Sequence, residues 1–419
     1  MNFKLLVYSI LLHLLPLVMR LWSLRSDKAA KWIEGRKKWK DKVLEISSKL
    51  SKKSFWIHAA SLGEYQMALP LIRKFKNQYP DHPVVISFFS PSGYDHVSIP
   101  DGCYKFYLPV DYPSNNQFLL DRLNPAMIVF IKYDLWFNLI EQSNKLQIPL
   151  ILLGFNTSEK KWNSFFYGKL IRSALNHFQL ITVLDQDKHS LFKSVINEKN
   201  LLSGGDLRYR NVVDQAKIEK KQNILQTFAE KYTKVIVCGS VWSSDMEILS
   251  NEINSKTDIA WIIAPHEISG YEYRKICSYL KGGYQLYSEL KSGRQLSDHH
   301  VLVLDTIGDL FHSYSFADLT YVGGGFESGL HNILEPAAFG KVVFFGPRTD
   351  KFPETQFFLK NRMGSIVNSS KDFSEKLIEC FNGTQFSSKE KILHHMTSAA
   401  EETDFIYKKV FDLLSKDSI

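Results

Sequence analysis

At 419 residues the chain is too long for one ordinary hydrophobic core, so two domains are expected. With 44% hydrophobic and 23% charged residues it is neither disordered nor fibrous. Its four cysteines, Cys103, Cys238, Cys277 and Cys380, form no CxxC pair, which excludes a disulfide framework and fits a reducing compartment, while a net charge of +8 suits anionic partners.

The first element in chain order is the apolar run "LLVYSILLHLLPLVM", Leu5 to Met19, followed by a dense basic series from Arg20 to Lys53. A spanning helix needs about 20 apolar residues; this run is shorter, and Pro16 interrupts it. Arg20, Leu21 and Trp22 stand where a signal-peptide cleavage site would need small residues. Three readings follow. One is a short spanning anchor whose positive flank keeps the body cytoplasmic. Another is a helix lying in the membrane interface, with Trp22, Trp32 and Trp39 at headgroup level. The third is a buried core helix, which the basic flank disfavours.

Strand-like and helical runs then alternate. "SFWIHAA", "PVVISFF", "YKFYLPV", "AMIVFIKY", "PLILLGF" and "LITVLD" are apolar on both faces, as strands of a parallel sheet covered by helices must be. After a polar stretch without a strand, "KVIVCGS", "DIAWIIAP", "YQLYS", "VLVLD", "LTYVGGG" and "KVVFFGP" restart the pattern. The predicted fold is α/β, with two doubly wound domains in tandem behind an N-terminal anchoring helix. The expected boundaries are an anchor and basic flank over 1–45, a first α/β domain over 46–210, a linker over 211–233, and a second α/β domain with terminal helices over 234–419.

Ligands of such sheets sit at the carboxyl ends of strands. In "FWIHAASLGEYQ" the first strand runs into Ala59, Ala60, Ser61 and Gly63 and then a carboxylate, Glu64, at a helix start. Small residues there leave backbone open to a ligand. The bland alternative is that Glu64 complements the helix dipole, which would lower its pKa. In "DLTYVGGGFESGLHNILEPAAFGK" a strand ends in Gly323, Gly324 and Gly325, and a helix is expected near Asn332. Consecutive glycines allow close approach to a ligand, and a helix N-terminus offers amides to a phosphate. Asn332 and Glu335 also have capping-box spacing, which is purely structural. His266 in "IIAPHE" is either a ligand contact or an ordinary loop residue, and Gly239, Ser240 and Ser243, like Gly308 and Asp309, read most simply as helix caps. "LDQD", with Asp185 and Asp187, matches a DxD metal pattern, but three residues carry little weight. No histidine cluster suggests a metal, so neither metal nor cofactor is expected.

Together, "IHAASLGE", "DLWFNLI", "APHE", "TIGDLFHSYSFADLTYVGGGF" and "HNILEPAAFGKVVFFGPRT" resemble the bacterial Kdo (3-deoxy-D-manno-octulosonic acid) transferases of lipopolysaccharide assembly, in order along nearly the whole chain. The resemblance implies two Rossmann-like domains in the GT-B arrangement at the cytoplasmic face of the inner membrane. It implies inverting transfer of Kdo from CMP-Kdo to a lipid A precursor, with inner-membrane lipids as further partners and no nucleic acid. By position it implies Glu64 as proton acceptor and Arg208 as the basic residue that steadies the transition state. It also implies Pro265, His266, Ile307, Gly308, Asp309, Asn332, Ile333, Leu334 and Glu335 as CMP-contacting residues of the second domain. One departure stands out: where the family has a second acidic residue before its "ELWPN" motif, this chain has Lys132, leaving Asp134 nearest to that role.

Rival readings are a transferase of the same fold using a UDP-sugar and another lipid acceptor, and a membrane-docked nucleotide-binding module without catalysis. The second would keep the glycine loop but needs no glutamate after "ASLG".

Overall fold

The structure is a computed structural model; it describes all residues except 1–2, 133, 185–190, 219–222, 328, 351, 384 and 415–419. The DxD candidates Asp185 and Asp187 lie outside the described residues. The chain forms two units: unit 1 comprises residues 1–211 together with 399–419, and unit 2 comprises residues 212–398.

Unit 1 is built on a seven-stranded parallel sheet of order β3-β2-β1-β4-β5-β6-β7. Its strands are β1 (Ser54–His58), β2 (Val84–Phe88), β3 (Cys103–Tyr107), β4 (Pro125–Ile131), β5 (Leu150–Phe155), β6 (Leu180–Val183) and β7 (Leu201–Ser203). Alternate residues of each strand enter opposite cores. Trp56, Val85 and Ile128 face one side, while Phe55, Ile57, Ile86 and Val129 face the other. Because both faces are covered, the strands read as continuous apolar runs.

Unit 2 repeats the plan, with order β10-β11-β9-β8-β12-β13-β14. These strands are β8 (Lys234–Val241), β9 (Ile259–Pro265), β10 (Gln285–Leu286), β11 (Val301–Val303), β12 (Leu319–Val322), β13 (Val343–Phe345) and β14 (Gly364–Ile366). Strand order reverses between β1 and β4 in unit 1 and between β8 and β12 in unit 2. Those two crevices are where such sheets bind ligands.

The expectation that residues 234–419 form one domain is corrected at its end. The last helix, Lys389–Asp412, starts in unit 2, and from Ala399 the chain belongs to unit 1. There Ile406, Tyr407, Val410 and Phe411 join the core beside Phe75. Asp404 accepts from Lys74 at 2.9 Å and from Arg210 at 3.0 Å.

The N-terminal run folds as α1 (Phe3–Leu12) and α2 (Leu15–Ser23), with Pro16 in the first turn of α2. They are followed by α3 (Asp27–Arg36) and α4 (Trp39–Ser47). The stretch Lys4–Ser23 is long and apolar enough to cross a membrane, and only 11% of it is buried, which removes the core-helix reading. One face of α1 is nevertheless docked. Leu5 enters the unit 1 core, Tyr8 donates to Asp111 at 3.0 Å, and Asn138 Nδ2 donates to Ser9 at 3.0 Å. Burial raises the Asp111 carboxyl to about 6, against the lowering effect of its hydrogen bonds from Asn116, Asn138, Tyr8 and Leu139. Trp22 is exposed as expected, but Trp32 is not at a headgroup level: it is buried, with the Arg36 guanidinium 4.0 Å from its ring.

Candidate functional site

At the unit 1 switch point β1 ends at His58, and α5 (Leu62–Gln78) begins after Ser61, whose extended backbone makes it the N-cap. Glu64, in the first turn, reaches back so that its Oε2 accepts from Ser61 N at 2.8 Å and from Ser61 Oγ at 3.2 Å. The capping role is thus real. It occupies one oxygen only; Oε1 has no hydrogen-bond partner among the described residues. Glu64 is 5% exposed. Burial raises its pKa, the His58 charge opposes this, and Asp134 adds to it. The expected lowering by the helix dipole is therefore corrected: desolvation is the larger effect, and it makes the carboxylate a stronger base.

His58 is fully buried beneath this site. Its Nδ1 pairs with Ser87 Oγ at 2.9 Å, and its Nε2 lies 3.2 Å from Asp134 Oδ2. Trp136 Nε1 lies 3.0 Å from His58 Nε2 and 3.3 Å from Asp134 Oδ2; with the His58 Nε2 proton turned to Asp134, the indole N–H donates to the same carboxylate oxygen. Burial alone would raise the Asp134 pKa, but the His58 and Trp136 hydrogen bonds outweigh it and hold the carboxyl below its usual value. Lys132 directly follows β4 with φ +65, its N–H donating to Leu153 O at 2.7 Å, and its charge acts on Glu64. Glu64, Asp134 and Lys132 therefore form one electrostatic cluster with His58. Arg208 is held by Asp206, Nη2 to Oδ2 at 2.6 Å and Nε to both oxygens.

At the unit 2 switch point, Asp245 stands in the first turn of the helix Ser243–Ser255, the position Glu64 holds in α5. It is fully buried. Its Oδ2 accepts from Trp242 N at 2.8 Å and Gly324 N at 3.0 Å, and its Oδ1 accepts from Tyr321 Oη at 2.8 Å. The carboxylate thereby ties the glycine loop to the end of β8. The glycines serve this packing: a Cβ on Gly323 would lie 2.4 Å from Ser240 O, and one on Gly325 would lie 2.6 Å from Gly346 Cα. Close approach of backbone to backbone accounts for the glycine at both positions. Gly324 has φ +91, a conformation that favours glycine.

His266 does have a specific setting. It is exposed at the end of β9 and stacks against Trp242 and His331, which lie side by side, each centroid 4.5 Å away and within 26° of parallel. Trp242 Nε1 donates to His331 Nε2 at 3.3 Å, and burial followed by the His266 charge lowers the His331 pKa to about 4, so that ring stays neutral. Pro265 closes β9, buried. The helix expected near Asn332 is a single turn, Leu334–Ala337, with Ile333 as its N-cap. Asn332 accepts from Leu334 N at 3.2 Å and donates to Glu335 Oε1 at 3.1 Å, a local clasp and not a capping box. Burial raises the Glu335 carboxyl to about 7. Ile307 is 89% exposed, and Gly308 has φ +94. Asp309 does not cap its helix: it accepts from Thr306 Oγ1 at 2.8 Å and pairs with Lys291 at 3.3 Å. Sequence reasoning missed Trp242 and Asp245; a tryptophan directly after a switch-point strand was the available signal for the first.

The model of the 3-deoxy-D-manno-octulosonic-acid transferase (Kdo transferase) family matches residues 37–211. Over these residues the chain is similar to the Kdo transferase family. The similarity extends beyond them. A 3-deoxy-D-manno-octulosonic acid transferase of Haemophilus influenzae is 25% identical over 373 residues, 86% of each chain. One from Chlamydophila psittaci is 28% identical over 311 residues, 70% of this chain and 69% of its own. These relatives mark the Kdo transferase-like chain as a glycosyltransferase. A UDP-GlcNAc 2-epimerase from Neisseria meningitidis matches the fold with a TM-score of 0.62 at 13% identity, over 86% of this chain and 100% of its own. It supports the GT-B-like fold class and nothing about substrate.

Proposed function

We propose that the protein transfers Kdo from CMP-Kdo to a lipid A precursor with inversion at the sugar carbon. The observation that carries this reading is Glu64: a buried carboxylate of raised pKa at the sheet's switch point, inside the region similar to the Kdo transferase family, with one oxygen free. An acceptor hydroxyl attacks the anomeric carbon of Kdo as Glu64 Oε1 takes its proton. The bond to the CMP phosphate breaks, and CMP leaves with the electron pair. Asp134, held by His58, keeps a second negative charge near Glu64 and so sustains its basicity. Arg208, oriented by Asp206, is the cation assigned to the departing phosphate. In unit 2 the Trp242–His266–His331 stack is a platform of the kind a cytosine ring stacks on, and Pro265, Ile307, Gly308, Asp309 and Asn332 to Glu335 supply the remaining CMP contacts.

Membrane attachment belongs to the same reading. Spanning by α1 would withdraw Tyr8 and Ser9 from Asp111 and Asn138 and leave buried polar groups unpaired, which is costly. The helices are therefore assigned to the interface plane of the inner membrane, on its cytoplasmic face, with Leu17, Val18, Leu21 and Trp22 turned to lipid. The test is an assay with CMP-Kdo made in situ and a lipid A precursor, read by mass spectrometry of the lipid. Addition of one or more Kdo units is expected; turnover with a UDP-sugar and none with CMP-Kdo would overturn the reading.

A further inference from the structure

A cavity of about 240 Å³ lies where α2, α3 and the loop after β3 meet, walled by Arg20, Trp32, Arg36, Lys37, Trp39 and Tyr112 among others. Arg36 is 9% exposed, yet no carboxylate among the described residues pairs with it. Three of its N–H groups donate to neutral carbonyls: Nε to Leu108 O at 2.9 Å, Nη1 to Trp32 O at 3.1 Å and Nη2 to Phe89 O at 2.7 Å. A guanidinium has five N–H groups, so two are left. Trp32 and Phe89 flank it at 4.0 and 4.8 Å. Burying a cation without an anion is expensive, and ring faces and carbonyls offset that only in part. Desolvation lowers the Arg36 pKa to about 9. A second donor in the same wall, Trp32 Nε1, is buried without an acceptor. At the rim Lys37 is tied to Glu34 at 2.5 Å, whereas no acid pairs with Arg20 among the described residues. The cavity thus holds donors and positive charge in excess of acceptors.

We propose that this cavity binds the phosphate headgroup of an anionic membrane lipid. Arg36 and Arg20 neutralise the phosphate, and the acyl chains run along the exposed apolar residues Leu17, Val18 and Leu21 of α2. Its volume is below the range of whole drug-sized ligand sites, roughly 300–1,000 Å³, and suits a headgroup whose chains stay outside. Glu64 is not among the residues that line the cavity, and occupancy of the cavity does not depend on the transferase reading.

The full chain is titrated calorimetrically with monomeric dihexanoyl phosphatidic acid, dihexanoyl phosphatidylcholine and inorganic phosphate. Saturable binding of phosphatidic acid is expected, with phosphatidylcholine and phosphate each ~10-fold weaker or more, since one lacks the net charge and the other the chains. Arg20→Gln, on the exposed rim, should weaken phosphatidic acid binding about fivefold, the scale of one basic residue at an anionic surface, at unchanged melting temperature. Arg36→Gln should weaken it further where its melting curve shows it folded. Equal affinity for phosphatidylcholine would reduce the site to apolar attachment and overturn the proposal. Phosphate binding as tightly as the lipid, or Arg20→Gln binding like the parent, would overturn it as well.

Discussion

Glu64 and Asp245 occupy equivalent places, each in the first turn of the helix that follows the first strand, in chain order, of its sheet, and each accepts a hydrogen bond from the N-cap backbone at 2.8 Å. Beyond that the two regions diverge. Asp245 is saturated by donors from the glycine loop and Tyr321, with both oxygens occupied. Glu64 keeps Oε1 without a partner, beside a histidine and a second carboxylate. Capping a helix therefore does not decide whether a carboxylate is structural or reactive. The number of donors aimed at it does. On this comparison the carboxylate of unit 1 is the one proposed for proton transfer, and the carboxylate of unit 2 holds the glycine loop in shape.

Removing Asp245 should give the largest effect. Asp245→Ala orphans Trp242 N, Gly324 N and Tyr321 Oη, each loss being about 1–3 kcal/mol. A fall in unfolding free energy of about 3–5 kcal/mol is expected by denaturant titration. A loss below about 1 kcal/mol would break the contrast, because Asp245 would then not be holding the loop.

Glu64→Gln should act on chemistry alone. Turnover is expected to fall by ~10²-fold or more, the scale of general-base loss, with CMP binding retained. Because the folded-state pKa of Glu64 is raised, its stabilising contribution is present at low pH and is lost as pH rises through that folded value. The glutamine variant should accordingly melt no lower than the parent at neutral pH. For the same reason the acid limb of kcat/KM should lie above the ordinary carboxylate range in the parent. Retained turnover in the variant would remove Glu64 from the reaction.

CMP without divalent metal should stabilise the protein by about 2.7 kcal/mol at 100-fold over Kd. Thermal shifts with chelator, and with UDP in parallel, measure this. A shift that vanishes with chelator would assign the nucleotide to a metal-dependent site. The smallest effect is expected from Trp242→Ala, which removes one ring of the His266 platform. CMP affinity should fall ~10-fold, within the range of base–aromatic stacking, with turnover at saturating donor nearly unchanged. Unaltered affinity would leave the stack a packing feature.

The sheets were legible because strands buried on both faces leave unbroken apolar runs, from "SFWIHAA" to "KVVFFGP". The strands missed were β7 and β14, three-residue segments at sheet edges that are only partly buried. The Glu64 turn was legible from its small residues and lone carboxylate. Its free oxygen and raised pKa were not, since they depend on His58, Asp134 and burial brought together from β1 and the end of β4. The glycine loop was visible, but its backbone neighbours Gly346 and Ser240 were not, because composition cannot tell approach to a ligand from approach to another strand end. The tail's helical period was plain, but periodicity does not name the core an apolar face will join.

That last helix has a consequence for the order in which the molecule is made. Unit 2 is a complete stretch of chain, residues 212–398, inserted within unit 1. A ribosome therefore finishes every residue of unit 2 before it delivers Tyr407 and Phe411, which complete the core around Phe75. The domain that begins first is closed last, and until then Lys74 and Arg210 wait without Asp404.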